Sequence, residues 1–300
     1  MNDYPKVSII FPNYNGGNEP LECLASIQKL TYPKAKIETI VIDNGSTDGS
    51  DHQIKKEFPK AKLIKNPKNI GFAKATNLGI KKAHGKYIFV TNNDVVLEKK
   101  CLKNLIEYLI SNPKVGVVGP ITYFKYQPKK IAAGALKYNF YTGLFKSNQS
   151  HQTEQEADWA SGCGMLFTKK LWRKLGGFDE NFFFIGEDLD FCLRAKYLGF
   201  RVIYYPKAAI WHSDGATVNR PEFLYLKYFE GYKSKLRLIL KHGSPLQILA
   251  SFLLQFAVFA PYRTLILREK SFIPLLEALF WNLRNLPKTF AARRKLNNQI

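Results

Sequence analysis

Acidic residues are scarce in this 300-residue chain: 24 Asp and Glu face 45 Lys and Arg, a net charge of +21. Cysteine is scarcer still. Cys23, Cys101, Cys163 and Cys192 lie far apart with no Cys-x-x-Cys pair, which excludes a zinc-finger spacing and a disulfide framework and predicts reduced, buried thiols. No basic segment followed by a long apolar run opens the chain, so MNDYPKVSIIFPNYN is not expected to be a signal peptide. Internal repeats and low-complexity tracts are absent. The apolar stretch Leu246–Ala260 is interrupted by Ser251 and Gln255 and followed by Pro261, which leaves it short of the ~20 residues that span a bilayer.

What is present is ordinary for a globular protein: 46% hydrophobic and 23% charged residues, with aromatics high at 14%. The positive excess suits an anionic partner, either an acidic membrane face or a phosphorylated ligand. Nucleic acid is not expected, because no RNA-binding aromatic signature accompanies the charge. Strand-like and helix-like segments alternate through the first half. Val7–Phe11, Ile37–Ile42, Ala61–Ile64 and Tyr87–Thr91 read as strands; Glu19–Leu30, Phe72–Ala83 and Leu97–Ile110 read as helices. That alternation predicts an α/β fold on a mainly parallel sheet, with ligands bound beyond the carboxyl ends of the strands. From Glu222 to Ile300 the chain holds 13 Lys/Arg and 4 Asp/Glu, net +9. Two parts are expected, residues 1–220 and a basic amphipathic helical region, 221–300. The second suits in-plane contact with an anionic membrane, or packing as a bundle or dimer interface.

Polar clusters fall where the strands end. Pro12-Asn13-Tyr14-Asn15-Gly16 follows the first strand; Tyr14 offers a stacking face, and the Asn side chains offer donors and acceptors. Asp43 opens DNGSTDG after the second, placed to accept from a base or ribose, or to cap a helix; Asp48 reads as a turn residue. In Asn69-Ile70-Gly71-Phe72, Gly71 allows close backbone approach, and the following helix can aim its first amides at an anion. Thr91-Asn92-Asn93-Asp94 sets an acid among amides, a suitable ligand for Mg²⁺ or Mn²⁺ on a diphosphate. Glu187-Asp188-Leu189-Asp190 crowds three acids, an arrangement general-base catalysis uses, although Asp190 also suits a helix start. His212 follows an apolar strand and is either a core residue or a metal ligand.

VSIIFPNYNG, IVIDNGSTDGS, NIGFAKATNLGI, TNNDV and GGFDENFFFIGEDLDFCLRAKYLGFRVIYYPKAAIWH occur in this order, and together they resemble family 2 glycosyltransferases of the GT-A fold, in the rhamnosyl- and galactofuranosyltransferase-like branch. The likeness spans roughly residues 5–240. It implies an inverting enzyme acting in cell-surface polysaccharide assembly. A dTDP- or UDP-sugar is the implied donor and a saccharide or lipid-linked saccharide the acceptor. It also implies work at the cytoplasmic face of the cell membrane. By resemblance, Pro12, Tyr14, Asp43 and Asn69 line the nucleoside pocket, with Asn15, Gly71 and Asn93 counted on the donor side. Asn92-Asn93-Asp94 matches the metal motif Asp-x-Asp with its first acid replaced, which leaves Asp94 as the main carboxylate, and His212 matches a metal-holding position. Glu187 and Asp188 match the acidic pair whose second member is the base. Trp159 and Gly162 match the acceptor side, and Gly176-Gly177-Phe178-Asp179 reads as a structural turn. Two rivals are weighed against this. A nucleotidyltransferase would carry a Gly-rich, Lys/Arg-bearing loop that FPNYNGGNEP lacks, and a non-catalytic carbohydrate binder would not need Asp94, Asp188 and His212.

Overall fold

A computed structural model describes residues 4–148, 153–213 and 223–297. The strands in chain order are β1 Val7–Asn13, β2 Ile37–Asp43, β3 Lys62–Lys65, β4 Tyr87–Thr91, β5 Val95–Leu97, β6 Val115–Phe124, β7 Gln127–Ala133, β8 Ala135–Asn139, β9 Leu144–Asn148, β10 Gln155–Glu156, β11 Gly164–Thr168 and β12 Arg201–His212. The helices are α1 Glu19–Gln28, α2 Ser50–Glu57, α3 Phe72–Lys82, α4 Cys101–Ser111, α5 Lys169–Leu175, α6 Glu187–Tyr197, α7 Leu224–His242, α8 Pro245–Leu254, α9 Phe272–Arg284 and α10 Leu286–Asn297. Ten strands form one sheet in the order β10-β12-β6-β11-β4-β1-β2-β3, with β5 on β12 and β7 on β6, while β8 and β9 pair apart.

The expected α/β architecture is present, and β1 shows why the sequence forms it. Its run VSIIFPN alternates faces with period two. Val7, Ile9 and Phe11 enter one core with Leu24 of α1 and Leu102 of α4, while Ile10 enters the other with Ala73 of α3 and Phe191 of α6. A strand buried on both faces needs helices on both, and β1 lies parallel to β2 and β4 with crossover helices between. The sheet is mixed because β11 runs antiparallel between β4 and β6. This puts the Ser161–Gly164 turn beside the carboxyl end of β4, with Gly164 opposite Thr91.

Some boundaries differ from the periodicity. Leu97 ends the short strand β5, and the helix begins only at Cys101, because Glu98 and its neighbours form the turn that caps it. Arg201–Tyr205 and Ala208–Ile210 are one strand, bulged at Pro206, a residue with no ladder donor. All four cysteines are buried and free, as their spacing suggests.

The described residues fall into two compact units: 4–136, 147–148, 153–183 and 187–213; and 137–146, 184–186 and 223–297. The expected boundary at 220/221 lies outside the described residues. In the second unit α7, α9 and α10 pack around Tyr232, Leu236 and Leu275, and buried Arg237 donates to Thr289 Oγ1 at 2.7 Å. Here the apolar stretch departs from the sequence reading: Pro261 does not end it. Two π-helical turns, Gln255–Phe259 and Tyr262–Ile266, carry the helix through, with Pro261 between them. The result is a 22-residue helix, Pro245–Ile266, long and apolar enough by length and composition to cross a membrane.

Candidate active site

The clusters that end β1, β2 and β4 meet around Asn13, which the sequence offers only as one polar residue of the first cluster. Its side chain is fully buried. Nδ2 donates to Asp43 Oδ1 at 3.2 Å and Ser50 Oγ at 2.9 Å, and Oδ1 accepts from Asn93 Nδ2 at 2.9 Å. One amide thus ties the ends of β1, β2 and β4 together. The only signal in the sequence is the alternation of β1, which puts Asn13 on the face of Phe11.

Asp43, 3% exposed, also accepts from the Ser46 amide, so the capping alternative holds only for the local turn, since α2 starts later, at Ser50. Asn15 stands at φ +49°, and its Oδ1 accepts from the Thr47 amide, holding the loop after β2 in place. Asp48 is a turn residue as expected, bound to the amides of Gly17 and Ser50. Pro12 pairs opposite Ile42, and Tyr14 is half-buried just beyond. Asn69 Oδ1 accepts from the Gly71 amide and from Asn44 Nδ2. Gly71 lies at φ +84°, and a Cβ there would sit 2.5 Å from the Phe183 carbonyl oxygen. Only glycine fits that approach. The helix start expected to face an anion is narrowed by two amides: Gly71 and Phe72 donate within the chain, to Asn69 Oδ1 and the Phe183 carbonyl.

Asp94 and His212 do come together, Oδ1 to Nε2 at 3.1 Å, each side chain 14% exposed. Strand pairing causes this, since His212 ends β12 directly opposite Val95 of β5. Asn92 Nδ2 lies 3.2 Å from the same Nε2. Asp94 Oδ1 is buried and accepts no hydrogen bond despite that close approach. A carboxylate oxygen left so, with an imidazole nitrogen beside it, fits a shared divalent cation. Among the described residues no three His, Cys, Asp or Glu converge as a complete cage, so a diphosphate and water would supply the other ligands.

Asp188 is the second residue of α6, and Glu187, which begins it, is equally buried. The Asp188 carboxylate accepts from the Gly162 amide and its neighbour Leu189, both at 2.8 Å. Burial nonetheless raises its pKa above the usual carboxylate range, because desolvation outweighs these bonds. Asp190 has a different partner: Arg194, one turn on, holds it at 2.7 Å while also bonding the carbonyls of Leu175 and Gly177. Gly177 and Phe178 are in turn clamped by buried Asn77, so the expected structural turn is one.

Asp94 and Asp188 share a neighbour. Burial pushes the Cys163 thiol up to about 11, and both carboxylates push in the same direction. The backbone of Cys163 accepts from Thr91 Oγ1, and Gly162 beside it contacts Phe72 and Asp188. The carboxyl end of the sheet therefore carries the polar cradle of Asp43, Asn13 and Asn69 and the Asp94–His212 pair, with the desolvated Asp188 held beside the end of β4 by the Gly162 amide.

Known proteins share this fold. A mannosyltransferase from Pyrobaculum calidifontis, solved with GDP-Man and Mn²⁺, superposes with a TM-score of 0.61 at 20% identity, covering 99% of this chain and 84% of that one. TarS of S. aureus superposes with a TM-score of 0.62 at 18% identity, over 98% and 86%. The fold is therefore GT-A, as expected. In sequence, an N-acetylglucosaminyl-diphospho-decaprenol L-rhamnosyltransferase of Mycobacterium tuberculosis is 23% identical over 239 residues, 71% of this chain and 77% of the relative. A poly-beta-1,6-N-acetyl-D-glucosamine synthase of Staphylococcus epidermidis is 27% identical over 209 residues, 68% of this chain but only 49% of the relative. The family model Glycosyl transferase family 2 matches residues 8–176, more than half the chain, and with the strand-end clusters in place the chain belongs to that family.

Proposed function

We propose that this chain is an inverting glycosyltransferase that moves a hexose from a dTDP- or UDP-sugar to a saccharide or lipid-linked saccharide acceptor during cell-surface glycan assembly. The observation that carries this is the position of Asp188: a buried, desolvated carboxylate held by two backbone amides, one of them Gly162 in the turn beside the carboxyl end of β4. Pro12, Tyr14, Asp43 and Asn69 hold the nucleoside. Asp94 and His212 hold a divalent cation, Mg²⁺ or Mn²⁺, which when bound neutralises charge on the leaving diphosphate. Asp188 takes the proton of the acceptor hydroxyl as it attacks the anomeric carbon, and a single in-line displacement inverts that centre. Trp159 and Gly162 stand on the acceptor side, where the Gly162 amide holds the carboxylate. A screen of nucleotide-sugars for thermal stabilisation, with and without Mn²⁺, tests the reading. A pyrimidine-linked sugar at 100 times its Kd should contribute ~2.7 kcal/mol. Stabilisation by none of them, with metal present, would remove the donor assignment.

The same reading places the second unit on the anionic inner face of the membrane. Among the described residues, 14 of the 22 exposed large hydrophobics lie between Leu246 and Phe290. Along α8 the exposure is one-sided: Leu246, Leu249 and Leu253 are 58–63% exposed, while Ser251 and Gln255 are buried against the unit. A helix packed on one side and apolar on the other suits the interface plane. The double variant Leu249→Glu/Leu253→Glu should bind mixed phosphatidylglycerol vesicles at least ~10-fold more weakly, since each buried Leu is worth ~1.5–3 kcal/mol. Its melting temperature should hold, because these side chains touch solvent. Unchanged vesicle retention would refute the membrane face.

A further inference from the structure

At the end of the sheet opposite the active site, a cleft of about 770 Å³ opens between the start of β3, the end of α3, the start of β4 and the first turns of α5. Of its 11 lining residues seven are Lys or Arg and none is acidic. We propose that this cleft is a second anion site, for a group carrying two or more phosphate charges, separate from the donor site. The bland explanation, cations serving a helix terminus, accounts for part of it. Lys62 Nζ reaches the Lys82 carbonyl at 3.5 Å, and Lys169 Nζ donates to that of Ala83, both at the end of α3. A helix C-terminus carries only about half a negative charge. Glu38, whose charge reaches Lys169, is committed to Ser8 Oγ and to the amide and ring of His84. Lys81, Lys86, Lys170 and Arg173 therefore line the same hollow with no carboxylate among its lining residues, and burial first, then Arg173, holds the Lys169 pKa down.

Shape adds to charge. A concave site focuses the field of its cations, whereas the same residues on a convex surface would be screened separately. Lysine binds phosphate as a point charge without demanding bidentate geometry, and the volume exceeds what one phosphate fills. Two sources carry that chemistry, a free di- or polyphosphate and the headgroups of an anionic bilayer.

The full-length protein is tested in EDTA with inorganic diphosphate, following the melting temperature, and on phosphatidylglycerol against phosphatidylcholine vesicles. The triple variant Lys81→Gln/Lys170→Gln/Arg173→Gln removes three charges without setting a carboxylate against the end of α3, and Asp94→Ala serves as the donor-site control. If diphosphate stabilises the wild type and Asp94→Ala alike, and the triple variant needs at least tenfold more, the site takes the free anion. If only retention on phosphatidylglycerol falls tenfold in the triple variant, the source is the headgroup. If the triple variant matches the wild type in both assays, or Asp94→Ala alone abolishes the stabilisation, the proposal is overturned.

Discussion

Asp188→Asn is expected to lower turnover by at least ~100-fold, the scale of a positioned general base, while the protein stays folded. Asparagine keeps the volume but cannot take a proton. The structural effects of the change oppose each other. A desolvated charge disappears, which favours the fold, because a carboxyl whose folded pKa is raised contributes most below the unfolded value and loses that contribution as pH rises through the folded one. Against this, the new NH₂ must face one of the two amides, Gly162 or Leu189, that now donate to the carboxylate. One broken hydrogen bond is worth ~1 kcal/mol, so the melting temperature should move by no more than a few degrees. The wild-type pH profile gives an independent check. Because burial raises the Asp188 pKa, activity should fall on acidification at a pH above the ordinary Asp value of ~3.9. Near-normal turnover by the variant would take Asp188 out of the base role.

Asp94→Ala is expected to erase the metal dependence of donor binding. Calorimetry on the wild type should show the donor held far more tightly in Mn²⁺ than in EDTA, and in the variant the two affinities should converge. Losing even an outer-shell partner costs about 10–100-fold in metal affinity, so losing a carboxylate ligand should reach at least the top of that range. The fold should tolerate the change, since Asp94 Oδ1 accepts no hydrogen bond and the variant gives up only the close approach of His212 Nε2. A variant whose Mn²⁺-to-EDTA affinity ratio matches the wild type would show that the cation, if bound, is held elsewhere. The network through Asn93 and Asn13 to Asp43 would then serve the nucleoside alone.

Both variants act on residues visible in the linear sequence as acids at a strand end and a helix start. Local chemistry was enough to place them, because a strand that is apolar on both faces has to end in polar residues, and those residues open at one edge of the sheet. The same reasoning gave the strands Val7–Phe11 and Ile37–Ile42 almost to the residue. It could not find Asn13 as the hub, since an Asn after a strand reads as a turn until its four partners, 30 to 80 residues away, are in position. Nor could it foresee that the Gly71 and Phe72 amides would be used up within the chain, or that the helix would pass through Pro261 on π turns. These depend on contacts that periodicity does not encode.

Period and composition determined the α/β class, because strands and helices arise from neighbours within about a dozen residues, and the order of the polar clusters along the chain determined the family it belongs to. Only the tertiary structure decided which acids work together. Asp190 is neutralised by Arg194 one turn away, Asp188 is left desolvated among backbone amides, and Asp94 meets His212 across more than a hundred residues through the pairing of β5 with β12. The basic cleft at the opposite end of the sheet is of the same kind. Its lysines look like ordinary surface charge along the chain, and only folding turns them toward one hollow, where like charges raise a common field.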